Sequence, residues 1–169
     1  MAKAIAINSK TQKPSVCNAL ETLLIHRDIA AEFAPQIAQN LSAKNVELRG
    51  DETFARLAGV DVVPATEEDW RTEYLDYILA VKVVDSLDEA AAHIRRYGSN
   101  HTEIIVTQDY AASQDWLRKV NSSTVGINCS TAFSDGFRLG LGRRGTREVI
   151  RRHGRRSDGC TVARFVREE

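Results

Sequence analysis

The sequence has 169 residues, of which 43% are hydrophobic and 27% are charged. This composition is typical of a single globular domain that buries about 70% of the surface of its unfolded chain. Lysine and arginine together number 23, as do aspartate and glutamate, so the zero net charge gives no sign of a nucleic-acid or membrane partner. The charge is uneven, because residues 137–169 carry +6 and residues 1–136 carry −6.

The cysteines are three in number, Cys17, Cys129 and Cys160, and no two form a C-x-x-C pair. This pattern argues against a disulfide framework and against a structural zinc site, so we expect no bound metal and a reducing compartment. The apolar run near Met1 is too short for a signal peptide, and no later run approaches the length of a membrane span. The sequence therefore predicts a soluble cytoplasmic protein.

The first half of the chain alternates extended and helical patterns. Apolar residues recur every four positions from Ile29 to Leu41, which predicts a helix capped by Asp28. Pro35 lies inside this helix and is expected to kink or delay it. The predicted elements are strands at Ala4 to Asn8, Glu21 to Arg27, Val46 to Arg49 and Asp61 to Pro64, and helices at Ile29 to Ala43 and Glu52 to Ala58.

The second half begins with an almost wholly apolar run, Ile78 to Val84, which is typical of a strand buried on both faces. Ser86 and Glu89 form a capping box for a helix that Gly98 stops. The later predicted elements are a strand at Glu103 to Thr107, a helix from Asp109 to Val120, a strand at Thr124 to Asn128 and a weak helix at Arg147 to His153. Strands alternating with helices predict parallel pairing with right-handed crossovers, so the expected fold is α/β.

Cys17 lies in the polar stretch Lys-Pro-Ser-Val-Cys-Asn, on the connection between the first two predicted strands. A lone cysteine is ordinarily a small buried hydrophobe. The position of Cys17 off any periodic apolar face weakens that interpretation and leaves a reactive thiol as the alternative. Cys129 closes an apolar strand and is expected to pack beside the site rather than to react.

Several stretches of residues 1–142, taken in order, are together similar to one enzyme family. They are Lys10 to Thr22, Val46 to Asp51, Asp69 to Tyr74 followed by Ile78 to Asp85, His93 to Glu103, and Asn128 to Gly136. They resemble the gamma-glutamyl phosphate reductases (glutamate-5-semialdehyde dehydrogenases), a branch of the aldehyde dehydrogenase superfamily. The resemblance implies a three-layered α/β catalytic domain of aldehyde-dehydrogenase type with a parallel sheet.

The resemblance also implies the reaction, which is the NADPH-dependent reduction of L-glutamyl 5-phosphate to L-glutamate 5-semialdehyde in proline biosynthesis. Cys17 would be the nucleophile, forming a thioester that accepts hydride from NADP(H). Because an ordinary thiol of pKa about 8.5 is mostly protonated at neutral pH, its loop must supply donors or positive charge. Lys13 and the backbone N–H of Asn18 or of Cys17 itself are the nearby candidates.

Four further residues take roles from the resemblance. Glu73 would reach the nicotinamide ribose of the cofactor, with an ordinary surface glutamate as the alternative. Ser130 and Thr131 would hold the α-carboxylate of the substrate through hydroxyl and backbone donors. The family usually has an arginine next, whereas Ala132 stands here. His101 would shape the substrate site, with a purely structural turn as the alternative.

The expected organisation is a catalytic domain at residues 1–142 and an arginine-rich tail at residues 143–169, poorly ordered or non-native. Family chains begin with a long nucleotide-binding domain, whereas Met1 stands only sixteen residues ahead of Cys17. We therefore expect that domain to be missing and the chain alone to be inactive.

The implied assembly is a homo-oligomer with a small-molecule substrate and no nucleic-acid or membrane partner. A non-catalytic remnant or interaction domain, which would pair with full-length subunits of the same family, is the alternative function. A packed cysteine in an unrelated α/β binding module is the remaining hypothesis.

Overall fold

A parallel β-sheet is the centre of the computed structural model, which describes residues 1–135 and the backbone of residues 163–167. Its strands are β1 (Thr22–His26), β2 (Glu47–Gly50), β3 (Val63–Pro64), β4 (Ile78–Val84), β5 (Thr102–Thr107), β6 (Thr124–Ile127) and β7 (Ala163–Arg167). Within the described residues the strand order is β3-β2-β4-β1-β7-β5-β6, and every neighbouring pair is parallel. The amino-terminal ends of all these strands therefore lie along one edge.

Helices cover both faces of this sheet because its strands are apolar on both sides. In β1, Leu23 and Ile25 contribute to the core on one face and Leu24 to the core on the other. The first face holds α1 (Ala2–Thr11), α2 (Arg27–Ser42) and α3 (Glu52–Ala58), and the second holds α4 (Leu87–Tyr97) and α5 (Tyr110–Lys119). The predicted three-layered α/β fold is confirmed.

Short polar caps start three of these helices directly after a strand. Asp51 Oδ1 accepts from the Phe54 amide at 2.9 Å at the start of α3. Ser86 Oγ accepts from the Glu89 amide at 3.1 Å at the start of α4. Asp109 accepts from two amides in the first turn of α5. Side-chain acceptors at these positions satisfy amides that a helix start leaves without partners, so the strand-to-helix connections are short and contain no open loop.

The N-terminal segment differs from its prediction. The predicted strand at Ala4 to Asn8 is wrong, because these residues lie in α1. Ala2, Ala6, Ser9 and Lys10 are buried, which is the three- to four-residue spacing of a helix and not the alternation of a strand. Cys17 therefore lies on the connection from a helix to a strand, and not between two strands.

The start of α2 also differs from its prediction. His26, and not Asp28, occupies the N-cap position, and its Nδ1 accepts from the Asp28 amide at 3.2 Å. Asp28 lies in the first turn, where a carboxylate favours the positive end of the helix dipole. The helix begins at Arg27 and continues through Pro35 to Ser42, so Pro35 does not delay it.

Strand β7 lies within residues 143–169, the segment that we expected to be an arginine-rich tail. Its backbone pairs with β1 on one side and with β5 on the other, so it joins the two parts of the sheet. The weak helix predicted at Arg147 to His153 and the proposed boundary at residue 142 lie outside the described residues. The division of the chain into two parts stays a prediction.

His93 is a buried histidine on α4. Its ring packs against Trp70 at a centroid distance of 5.4 Å, and its Nε2 has no hydrogen-bond partner among the described residues. Burial, helped by the nearby Lys82 ammonium, lowers the pKa of His93 to about 4. The neutral ring is therefore the form that the fold accepts.

Lowering the pH should reduce the free energy of unfolding, because His93 is neutral in the folded chain. The substitution His93→Phe should remove this contribution. Between about pH 4 and 6.5 the unfolded chain binds a proton that the folded ring rejects, so the free energy of unfolding rises with pH. We expect the variant to gain about 2 kcal/mol over the wild type when the pH is lowered from 7 to 5. Urea unfolding of both proteins at each pH measures the difference, and equal differences at the two pH values would contradict it.

Candidate active site

The Cys17 loop, residues 12–21, connects α1 to β1. Cys17 itself is exposed, and Asn18 is half-buried. The loop is fixed where it enters the core, because the Leu20 amide donates to the Ser9 carbonyl at 2.9 Å and Leu20 is fully buried. Cys17 is thus presented to solvent from a loop with a rigid base, just before the amino-terminal end of β1.

Ser9 joins the Cys17 loop to the segment that carries Ser130 and Thr131. Its hydroxyl accepts from the Thr131 amide at 3.2 Å and lies 3.0 Å from Ser130 Oγ. Ser130 begins a 3-10 helix, Thr131–Ser134, which contacts β5. One residue at the end of α1 therefore brings together the predicted nucleophile loop and the predicted carboxylate-binding loop.

The hydroxyl of Ser130 is already engaged in this arrangement. It donates to Asn8 Oδ1 at 2.6 Å, so the bond between Ser9 and Ser130 takes its proton from Ser9. Thr131 Oγ1 is buried and has no hydrogen-bond partner among the described residues. Of the two predicted hydroxyls, the one on Thr131 retains its hydrogen-bonding capacity.

Glu73 and His101 precede β4 and β5, so both lie toward the same edge of the sheet as Cys17. Glu73 is half-exposed in the Glu73 loop, residues 65–77, which connects β3 to β4. His101 Nδ1 lies 2.7 Å from Thr102 Oγ1. Because β7 separates β5 from β1, His101 precedes a strand two positions away from the one that Cys17 precedes.

A buried ion pair lies beneath the Cys17 loop. Lys10 Nζ, on α1, is 3.0 Å from Glu21 Oε2, and the two side chains are 0% and 1% exposed. Burial raises the pKa of Glu21 to about 7, although Lys10 and the backbone amides of Leu75 and Tyr74 act in the opposite direction. Burial likewise lowers the pKa of Lys10 despite its attraction to Glu21. Neither residue was predicted from the sequence to belong to the site, although each lies in the stretch Lys10 to Thr22.

Asp69 fixes the Glu73 loop from within. It accepts from the Tyr74 hydroxyl at 2.8 Å, from Arg49 Nη1 at 2.8 Å and from the Thr66 amide at 2.7 Å. Burial alone would raise the pKa of Asp69, but the hydrogen bonds from Arg49 and Thr66 hold it well below its usual range. Asp69 therefore stays ionised and connects the two ends of the loop, at Thr66 and Tyr74, to Arg49 on β2.

No family model matches this chain. Gamma-glutamyl phosphate reductase from Geotalea daltonii is 64% identical over 142 residues, which is 84% of this chain and 34% of that protein. The enzyme of the same name from Dictyoglomus thermophilum is 54% identical over the same length, again 84% of this chain and 34% of that protein. The resemblance to the gamma-glutamyl phosphate reductases is confirmed.

Solved structures agree with this finding. The crystal structure of gamma-glutamyl phosphate reductase from Thermotoga maritima superposes with a TM-score of 0.81 at 46% identity, covering 83% of this chain and 34% of that one. Gamma-glutamyl-gamma-aminobutyraldehyde dehydrogenase from Burkholderia cenocepacia shares the fold, with a TM-score of 0.51 at 19% identity, over 76% of this chain and 34% of that one. The chain spans about a third of the length of the curated reductases that it matches.

The described residues, 1–135 and 163–167, contain neither a candidate membrane span nor a candidate metal cluster. No helix there is both long enough and apolar enough to cross a membrane. No group of three or more histidine, cysteine, aspartate or glutamate residues there could hold a metal ion.

Brief alkylation should label Cys17 well ahead of Cys129. Cys17 is exposed, whereas Cys129 is half-buried and its sulfur lies close to Gly126, where an added Cβ would be only 2.9 Å away. Access to the thiol controls the rate of alkylation as much as its ionisation does. Peptide mass mapping after a short exposure to iodoacetamide measures the order, and labelling of Cys129 first would contradict the assignment of Cys17 as nucleophile.

Proposed function

We propose that this chain carries the catalytic segment of a gamma-glutamyl phosphate reductase, which reduces L-glutamyl 5-phosphate to L-glutamate 5-semialdehyde in proline biosynthesis. The observation that carries the proposal is the exposed Cys17 on a loop whose base is fixed. Ser9 joins that loop to Ser130 and Thr131. The names of the similar proteins support the same reaction.

Cys17 is the proposed nucleophile. Its thiolate adds to the acyl carbon of the substrate, the bond from that carbon to the phosphate oxygen breaks, and phosphate leaves with the electron pair. A thioester on Cys17 remains. A bound nicotinamide cofactor would supply hydride to the thioester carbon. The bond from that carbon to the Cys17 sulfur would then break and release the aldehyde and the Cys17 thiolate.

Asn18 is proposed to support this chemistry from within the Cys17 loop. A backbone N–H next to the nucleophile is suited to stabilise the negative oxygen that develops when the thiolate adds to a carbonyl group. Lys13 is exposed on the same loop and is a second source of positive character for the thiolate.

Thr131 and Ser130 are the proposed contacts for the substrate α-carboxylate. Thr131 Oγ1 has no hydrogen-bond partner among the described residues, so it can donate to a carboxylate. The Ser130 hydroxyl would first have to give up its hydrogen bond to Asn8 Oδ1. Ala132 provides no guanidinium, so we expect carboxylate binding to be weaker than an arginine would give. His101 is proposed to shape this end of the site.

The residues present fit one part of NADP(H) and not another. Glu73 is a half-exposed carboxylate that could accept hydrogen bonds from ribose hydroxyls. The strand-to-helix connections described here hold no glycine loop of the kind that binds phosphates, and the space beside Gly50 is filled by Phe54 and Val62. We therefore propose that the cofactor phosphates bind outside the described residues and that the chain alone does not transfer hydride.

Further proposals concern the assembly, location and organisation of the whole protein. It acts as a homo-oligomer in the cytoplasm, with a small-molecule substrate and neither nucleic acid nor membrane as partner. Residues 1–142 form its catalytic domain, and residues 143–169 form an arginine-rich tail whose strand β7 pairs with β1 and β5. The alternative is a non-catalytic remnant that retains the fold and pairs with full-length subunits.

The isolated chain should form the thioester without completing the reduction. Incubation with freshly prepared glutamyl 5-phosphate should place a glutamyl group on Cys17, while NADPH absorbance stays constant, because the described residues offer no phosphate-binding glycine loop for the cofactor. Intact-mass and peptide mapping measure acylation, and the Cys17→Ser chain is the control. Absence of acylation would favour the remnant, and NADPH oxidation by the chain would contradict the proposed location of the cofactor site.

A further inference from the structure

The buried Lys10–Glu21 pair is not explained by stability alone. Two charges at 0% and 1% exposure lose nearly all of their hydration. Replacing such a pair with apolar side chains of similar volume is often neutral or stabilising, so a fold that only needed stability could use them instead. The position of the pair supplies another explanation, since Lys10 lies in the last turn of α1 and Glu21 ends the Cys17 loop.

Glu21 reaches beyond Lys10 to a second loop. Its Oε1 accepts from the Leu75 amide at 3.3 Å, and the neighbouring Tyr74 amide helps to lower the pKa of this carboxylate. Leu75 and Tyr74 directly follow Glu73, the proposed cofactor contact. One carboxylate therefore bonds the base of the nucleophile loop to the loop that holds the proposed ribose ligand.

The backbone at Leu75 gives independent support for this connection. Leu75 has a φ of 54°, a left-handed conformation that residues with a side chain seldom adopt. Such conformations persist where surrounding contacts hold them, and they are concentrated at functional sites. Here the amide of the strained residue is the group that Glu21 accepts from, and the side chain of Leu75 is 45% exposed and contributes little packing.

We propose that Glu21, held by Lys10, is a positioning residue that fixes the Cys17 loop and the Glu73 loop as one body. Neither side chain is a catalytic residue, because the pair lies beneath the loops and acts through them. This inference rests on the proposed function, since it assigns a purpose to a fixed relation between the nucleophile and the cofactor contact. It predicts that loosening the pair loosens both loops together.

The test compares two ion-pair variants of the 169-residue chain. Lys10→Met with Glu21→Leu removes the pair and its bond to Leu75. Lys82→Met with Glu89→Leu is the control for loss of an ion pair elsewhere in the fold, because that more exposed lysine–glutamate pair is 2.9 Å apart and lies on β4 and α4. Hydrogen exchange at the Leu75 amide and the alkylation rate of Cys17 are measured in each. Neither measurement needs substrate or cofactor. Failure of this proposal can therefore be distinguished from failure of the proposed reaction.

We expect removal of the pair to speed exchange at Leu75 by about tenfold, as loss of one hydrogen bond would, and to change the Cys17 alkylation rate by a few-fold. The control should change neither by more than about twofold. Lys10→Met with Glu21→Gln should restore slow exchange at Leu75, because the amide oxygen can still accept from that amide. Wild-type values in the first variant, or a change in only one of the two loops, would overturn the proposal.

Glu21→Asp covers the case in which the first variant does not fold. This change keeps a negative charge for Lys10 but shortens the side chain by one methylene, so the bonds to Lys10 and Leu75 cannot both be kept. We expect the same direction of change at Leu75 and at Cys17. A folded Glu21→Asp chain with both rates at the wild-type level would equally overturn the positioning role.

Discussion

Replacing Lys10 alone with methionine is expected to cost about 3 to 5 kcal/mol of unfolding free energy, because it leaves the Glu21 carboxylate buried without its cation. Methionine fills the volume of the lysine stem, so little of this loss comes from a cavity. Replacing both residues, by Lys10→Met with Glu21→Leu, should cost far less than the single change. Urea unfolding of the two variants and the wild type measures the difference.

The penalty of the single change should depend on pH. In the wild type burial raises the pKa of Glu21 to about 7, and without Lys10 the attraction that lowers this pKa is lost. The folded variant then holds its proton above pH 7 while the unfolded chain has released it, so the free energy of unfolding falls as the pH rises, by up to about 1.4 kcal/mol per unit. The extra cost should therefore grow from pH 7 to pH 9. A pH-independent penalty would mean that packing, and not charge, accounts for it.

The elements with local signals were predictable from the sequence. The helix at Glu52 to Ala58 and the strand at Ile78 to Val84 have the predicted bounds. The first begins at Asp51, a side-chain cap, and ends before Gly59, whose φ of 67° suits the left-handed helix end. The second is apolar on both faces, as a strand between two helical layers must be.

The first helix was not predictable by the same means. Its sequence, Ala-Lys-Ala-Ile-Ala-Ile, alternates residues of different size, and only the packing of Ala2 and Ala6 against the sheet shows the helical spacing. The wrong strand also misplaced the connection that carries Cys17. A short segment without a cap is decided by its tertiary contacts more than by its own pattern.

The candidate site was predictable only in part. The stretches that resemble the reductase family pointed to Cys17, Ser130 and Thr131. Residue identities alone do not give the distances between these side chains. Ser9 links these loops across more than a hundred residues of sequence, and Glu21 bonds to Leu75 at a separation of 54 residues. The sequence did contain one indication that Glu21 is unusual. A carboxylate directly before the apolar strand Thr22 to His26 is expected to be buried, and a buried carboxylate needs a partner.

Serine at the position of Cys17 in a full-length relative, such as the Geotalea daltonii reductase, is expected to abolish semialdehyde formation and leave NADPH binding unchanged. A serine hydroxyl without an adjacent base is far less nucleophilic than a thiolate, so the acyl-enzyme does not form. We expect kcat to fall at least about a thousandfold, a barrier increase of about 4 kcal/mol. Steady-state assays with glutamyl 5-phosphate measure kcat. Titration of the enzyme with NADPH, followed by fluorescence, provides the binding control. If the variant keeps more than about a tenth of kcat, a barrier change below about 1.4 kcal/mol, then the sulfur forms no bond to the substrate and its exposed loop has another purpose.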